Sequence, residues 1–208
     1  EGDIFPGYDQ PVLNVVSCTK IGQVFGGGYG VGGDMYANPT VNINMIPGSN
    51  AKKIKRNGEE NEHNLGEIGD VFGGGDAAKV FGDVTVNICT EKTVQLHKKL
   101  NDNGSYTLES RNVEGAYITG NVYGGGNHAD VKGNTFVNVC AVKTAVLDDN
   151  NVPTSEYTYN SVEISGESYE GVKILGSVYG GGNLGSVGTF SDSDFAAGGS
   201  TTCTANTG

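Results

Sequence analysis

Any chemistry in this chain of 208 residues has to start from its carboxylates, imidazoles or thiols, and none of these stands in a reactive pattern. A glycosidase needs two carboxylates held a fixed distance apart on a rigid surface. The acids Glu59-Glu60, Asp148-Asp149, Asp192 and Asp194 fall instead in polar stretches outside the regular segments, where adjacent acids are usually just solvated. His63, His97 and His128 share no spacing that would pair a base with a nucleophile. Cys18, Cys89, Cys140 and Cys203 form no CxxC pair and have no paired His, which argues against zinc. Asp76 with Asp83, or Asn127 with Asp130, follow glycines much as calcium ligands do in some repeat proteins, but the nine-residue G-G-x-G-x-D period is absent. Calcium is therefore a minor reading, no cofactor is expected, and the chain reads as a non-enzyme.

What does recur is Val-aromatic-Gly-Gly-Gly. The triplets are Gly26-Gly27-Gly28, Gly73-Gly74-Gly75, Gly124-Gly125-Gly126 and Gly180-Gly181-Gly182. A phosphate-cradling loop would need a helix N-terminus and a following Lys or Ser, and neither is present. The structural reading is a repeated corner, where glycine supplies a positive φ or lets two backbones approach closely.

The elements around these corners are short. Each unit carries G-x-V-aromatic, then V-x-G, then T-x-V-N-[IV], all rich in β-branched residues and punctuated by glycine. The aromatic residues Phe25, Phe72, Tyr123 and Tyr179 stand 47, 51 and 56 residues apart. Leu13-Asn14-Val15 reads as the tail of a preceding unit. Residues 199–206 read as a degenerate copy of 133–140, with Cys203 in the column of Val137. The variable spacing is confined to insertions at 45–66, 90–116 and 141–173, all at one corner of the repeat. The second insertion alternates on either side of Asn103-Gly104, which predicts a hairpin with a type I′ turn. The third is strand-like at 157–159 and 161–164, and the first has its own Asn57-Gly58 turn signal. No stretch predicts a helix.

Self-similar strands of three to five residues predict a β-solenoid in which each unit pairs in parallel with the next; a meander of hairpins is the competing arrangement. Val24, Val71, Val122 and Val178 are expected inside, with Val41 and Ile43, Val86 and Ile88, and Val137 and Val139. Alternation then places Asn14, Asn42, Asn87 and Asn138 on the opposite face, as an amide ladder, as solvated side chains or as a ligand-binding row. The aromatic column reads as packed rings or as a sugar-stacking platform. Its Phe/Tyr exchange predicts that the ring edges reach water or a backbone partner. Cys89 and Cys140 share a column, so they are either a candidate disulfide between neighbouring units or two free thiols.

Formal net charge is −11, which disfavours nucleic acid and anionic membrane surfaces. No apolar run is long enough to span a bilayer, and residues 1–10 carry no signal-peptide pattern. The string at 120–139, G-N-V-Y-G-G-G-N-H-A-D-V-K-G-N-T-F-V-N-V, resembles the repeats of large surface-displayed, adhesin-like proteins of gut and oral Bacteroidota. The resemblance covers the repeated segments, about half the chain, and not the insertions. It implies a right-handed parallel β-helix that is exported and displayed, and it carries no catalytic motif. The resulting expectation is all-β, with residues 1–208 forming a single solenoid domain of about four to five rungs within a longer repetitive protein. It would be extracellular or at the cell surface. Its partners would be a protein or glycan surface ligand, or further copies joined end to end into a fibre.

Overall fold

The computed structural model describes residues 10–46, 55–56, 59–60, 65–100, 104, 106–161 and 171–188. Among the described residues there is no helix, and the strands run in chain order as follows. They are β1 (Val12–Val15), β2 (Lys20–Phe25), β3 (Thr40–Ile43), β4 (Lys55–Arg56), β5 (Glu59–Glu60), β6 (Glu67–Phe72), β7 (Val84–Ile88) and β8 (Thr93–Leu100). Then follow β9 (Tyr106–Asn112), β10 (Ala116–Ile118), β11 (Val122–Tyr123), β12 (Thr135–Val139), β13 (Ala141–Leu147), β14 (Pro153–Ser161), β15 (Val172–Ile174) and β16 (Val178–Tyr179).

Equivalent residues of successive units pair with one another. One parallel sheet has the order β1-β3-β7-β12, with Val41 opposite Val86 and Val86 opposite Val137. A second has the order β15-β10-β6-β11-β16, with β2 also on β6; Phe25, Phe72, Tyr123 and Tyr179 are consecutive partners. A third line consists of single parallel bridges, through Met35, Val80, Val131 and Val187 and through Tyr29, Asp76, Asn127 and Asn183. The register follows from the period-two pattern: a one-residue slip would turn Val41, Ile43, Val86 and Ile88 outward and Asn42 and Asn87 inward. Those four apolar side chains are buried in one core with Val24, Ile68, Val71, Ile118 and Val122. A smaller cluster joins Val80, Val84 and Val131.

Short polar side chains hold the bends between strands. Asp70 Oδ1 accepts the Asn121 N–H at 2.8 Å, and Asn121 Oδ1 accepts the Ser177 N–H at 2.9 Å. Asn38 and Asp83 do the same for Asp83 and Asn134, at 2.8 and 2.7 Å. Asp130 Oδ1 accepts the Ser186 N–H at 3.0 Å. In every case the acceptor lies in the earlier unit, so a carboxylate, which only accepts, serves as well as an amide.

The middle glycines are required for close approach. A Cβ on Gly27 would lie 2.6 Å from Gly75 N, one on Gly74 2.8 Å from Gly126 N, and one on Gly125 2.7 Å from Gly182 N. None of the triplet glycines has positive φ; that conformation comes two residues after each triplet, at Gly30, Ala77, His128 and Leu184. Each missing Cβ thus makes room for the backbone of the next unit.

Three antiparallel hairpins leave the body, all from the bend after the T-x-V-N strands: β4–β5, β8–β9 and β13–β14. Gly104 has φ 78 at the turn between β8 and β9, while Asn103, Asn57-Gly58 and 162–164 lie outside the described residues. The insertion boundaries need correction at their ends. Met45, Leu65 and Ala116 are buried in the core, so the projecting parts are shorter than 45–66 and 90–116.

Candidate functional site

Alternation along β1 and β3 places Asn14 and Asn42 side by side on the outer face. Asn42 Nδ2 donates to Asn14 Oδ1, Asn87 Nδ2 to Asn42 Oδ1, and Asn138 Nδ2 to Asn87 Oδ1, each at 2.9 Å. All the amides point the same way, so this line ends in an Nδ2 donor at Asn14 that has no acceptor among the described residues.

Two residues beyond Asn42 the chain leaves β3 through Asn44, whose side chain is buried, at 4% exposure. Asn44 Oδ1 accepts the Thr90 N–H at 3.0 Å and the Glu91 N–H at 3.2 Å. These two bonds fix which end of the amide is oxygen and turn Nδ2 away from them. Nδ2 meets no acceptor among the described residues. Hairpin β8–β9 rises from the equivalent bend of the next unit, just past Thr90 and Glu91, and brings Val94 and Gln95 alongside. With Asn14, Val15, Val16, Asn42 and Asn44 they enclose an open groove of about 220 Å³. Its walls offer neutral donors and acceptors beside three valines. Among the described residues no nucleophile, carboxylate or ammonium lines it.

The aromatic column forms a second continuous line. Phe25–Phe72, Phe72–Tyr123 and Tyr123–Tyr179 have ring centroids 4.8, 4.9 and 5.0 Å apart and nearly parallel planes. Phe72 and Tyr123 are covered on both faces by their neighbours, which removes the surface a sugar ring would stack on. The Tyr123 hydroxyl hydrogen-bonds with the Asn121 side chain, while burial and the neighbouring Tyr179 and Asp70 push its pKa up.

The titratable groups are dispersed. Asp76 receives Asn127 Nδ2 at 2.9 Å and Asn183 Nδ2 continues to Asn127 Oδ1 at 2.9 Å, so Asp76 opens a second side-chain ladder. Asp83 is held by Asn134, and Asp148 Oδ1 accepts two N–H groups of its own turn, from Asn150 and Val152. Glu59-Glu60 forms β5, His97 lies in β8, His128 is exposed, and Asp149 follows Asp148 in its turn; His63, Asp192, Asp194 and Cys203 lie outside the described residues. Among the described residues no three His, Cys, Asp or Glu converge as metal ligands.

Cys89 and Cys140 are free thiols, hydrogen-bonded to each other, and the candidate disulfide is not formed. The reason is geometric. Both lie in the bend just past β7 and β12, at left-handed φ of 54 and 52, outside the in-register strands, and there the two side chains meet as a hydrogen bond rather than a covalent link. Burial pushes the Cys140 thiol up, against the hydrogen bond from Cys89.

Sequence reasoning missed Asn44, Gln95, Val16 and Val94. The available signal was Asn44 itself, which stands where later units have Cys89 and Cys140. Compared with protein-family models, curated proteins and solved structures, the chain matches none of them.

Proposed function

We propose that the chain is a right-handed parallel β-helix, a β-solenoid, acting as a non-catalytic structural and adhesive element outside the cell or on its surface. One observation carries the fold reading: three separate lines of parallel pairing join the same columns of successive units. The resemblance of 120–139 to surface-displayed repeats supports the setting. The absence of a catalytic role is supported by the use of Asp70, Asp76, Asp83 and Asp130 as acceptors for the next unit. The hairpins, all on one side of the repeat, are the contact surface for a protein or glycan partner.

End-to-end assembly into a fibre belongs to the same reading. Gly180 and Gly181 keep the repeat's glycines, yet nothing among the described residues lies within 4 Å of where their Cβ atoms would be. In the earlier units that space receives the next unit's backbone. A second copy seated there would continue the pairing. Light scattering and electron microscopy over a concentration series test this: growth into fibres with a strand repeat of about 4.8 Å is expected. A particle that stays monomeric throughout contradicts assembly, and reducing-sugar release from any polysaccharide contradicts the non-catalytic reading in favour of a polysaccharide-degrading β-helix.

A further inference from the structure

We propose that the groove between β1, β3 and the root of hairpin β8–β9 binds one ring of a neutral carbohydrate. The inference deepens the adhesive reading by naming its ligand class, and rests on that reading for its setting.

The argument begins with Asn44. A buried amide whose oxygen is held by two backbone N–H groups is rigid, and its Nδ2 still lacks an acceptor among the described residues. That donor belongs to a residue lining the open groove, where water or a ligand can satisfy it. Asn14 supplies a second oriented donor, because Asn42 occupies its oxygen. Gln95, exposed on the hairpin, supplies both a donor and an acceptor. Vicinal hydroxyl groups, each donating and accepting, match such a set. Val16 and Val94 offer apolar surface for the C–H face of a ring.

Other ligand classes fit less well. An anion would find no cation in the walls among the described residues and would approach a chain of net charge −11. A metal ion would meet amide N–H donors. An added peptide strand would use the edge of β1, which no described strand pairs, whereas the donors here project from the sheet face and the hairpin root. The volume of about 220 Å³ falls below the roughly 300–1,000 Å³ of ordinary small-molecule pockets. It therefore suits a single ring within a longer chain, with affinity for a free monosaccharide in the millimolar range, about 1–10 mM.

The test uses the full chain, labelled with nitrogen-15. Its side-chain NH2 resonances are followed while glucose, galactose, mannose, N-acetylglucosamine and their neutral oligomers are added, with galacturonate and a tetra-alanine peptide as controls. At least one neutral sugar should move the Asn44, Asn14 and Gln95 side-chain signals in a saturable way, and galacturonate should not. Asn44→Asp keeps the acceptor for Thr90 and Glu91 but removes the donor, and should weaken binding about tenfold. Gln95→Ala, at an exposed site, should weaken it severalfold with an unchanged melting temperature, so the proposal stays testable if the Asn44 variant fails to fold. Sugar shifts that avoid these residues, unchanged affinity in Gln95→Ala, or binding of the peptide alone would overturn the proposal. Saturable sugar binding by a chain that never assembles or adheres would instead retire the adhesive reading and leave the groove standing.

Discussion

Val71-Phe72-Gly73-Gly74 and Val178-Tyr179-Gly180-Gly181 are one motif in two settings. Val71 is 0% exposed and Val178 47%; Phe72 is 2% exposed and Tyr179 46%. The first lies between paired units on both sides. Among the described residues, the second is paired only with Val122 and Tyr123. The motif does not bury itself. Its burial comes from the units on either side, as expected of a quasi-one-dimensional array whose stability sums nearest-neighbour terms.

Paired substitutions in the second and fourth units test this comparison, and the largest contrast should come from the glycines. Gly74→Ala places a methyl against Gly126 N and the Val131 side chain, and should cost about 3 kcal/mol in a urea melt. Gly181→Ala meets nothing among the described residues, at an ordinary φ, and should be neutral or stabilising by about 0.5 kcal/mol through the unfolded chain. Equal costs would mean that the two corners share one environment.

Next come the valines. Val71→Ala should lose about 2 kcal/mol and Val178→Ala less than about 1 kcal/mol, measured the same way. The amide ladder gives a smaller contrast. Asn87 is buried and makes a bond on each side, so Asn87→Ala should cost about 2 kcal/mol; Asn138→Ala breaks one bond and should cost about 1 kcal/mol.

The smallest effect is in pH. Burial alone would raise the Asp130 pKa, but the Ser186 N–H it accepts, the hydrogen-bonded Lys132 ammonium and the charge of Lys79 outweigh burial and hold it below the usual carboxylate value. Its folded pKa is therefore below its unfolded one. The stabilisation it gives is complete above the unfolded value, near pH 4, and fades as pH falls through the folded value. Asp130→Asn should flatten the acid limb of a stability-versus-pH curve slightly, by lowering the neutral plateau while leaving stability at low pH, where Asp130 is protonated, nearly unchanged.

The sequence made the repeated columns legible because in-register pairing demands the same residue type at the same place in every unit. Val24, Val71 and Val122, the four aromatics, and the Asn line could all be aligned without coordinates. Hairpin β8–β9 announced itself through alternation about Asn103-Gly104. The reason for the glycines was only half legible: composition allowed either positive φ or close approach, and the left-handed positions fall on Ala77, His128 and Leu184, which carry no glycine signal. The groove was not legible. Asn44 departs from its column, and its meaning depends on the N–H groups of Thr90 and Glu91, more than forty residues away. The cysteine column was legible as a column but not as chemistry, since the left-handed bend that carries Cys89 and Cys140 leaves no mark in the sequence.

Amide hydrogen exchange tests most directly whether burial comes from neighbouring units. The Gly73 N–H donates to Tyr123 O and the Gly124 N–H to Tyr179 O, both across unit boundaries. In dilute solution Gly73 and Gly124 should exchange only through opening as costly as global unfolding, while Gly180, their equivalent in the fourth unit, exchanges far faster and gains protection as concentration rises. Exchange at Gly73 and Gly124 as fast as at Gly180 in dilute solution would contradict the pairing of one unit on the next.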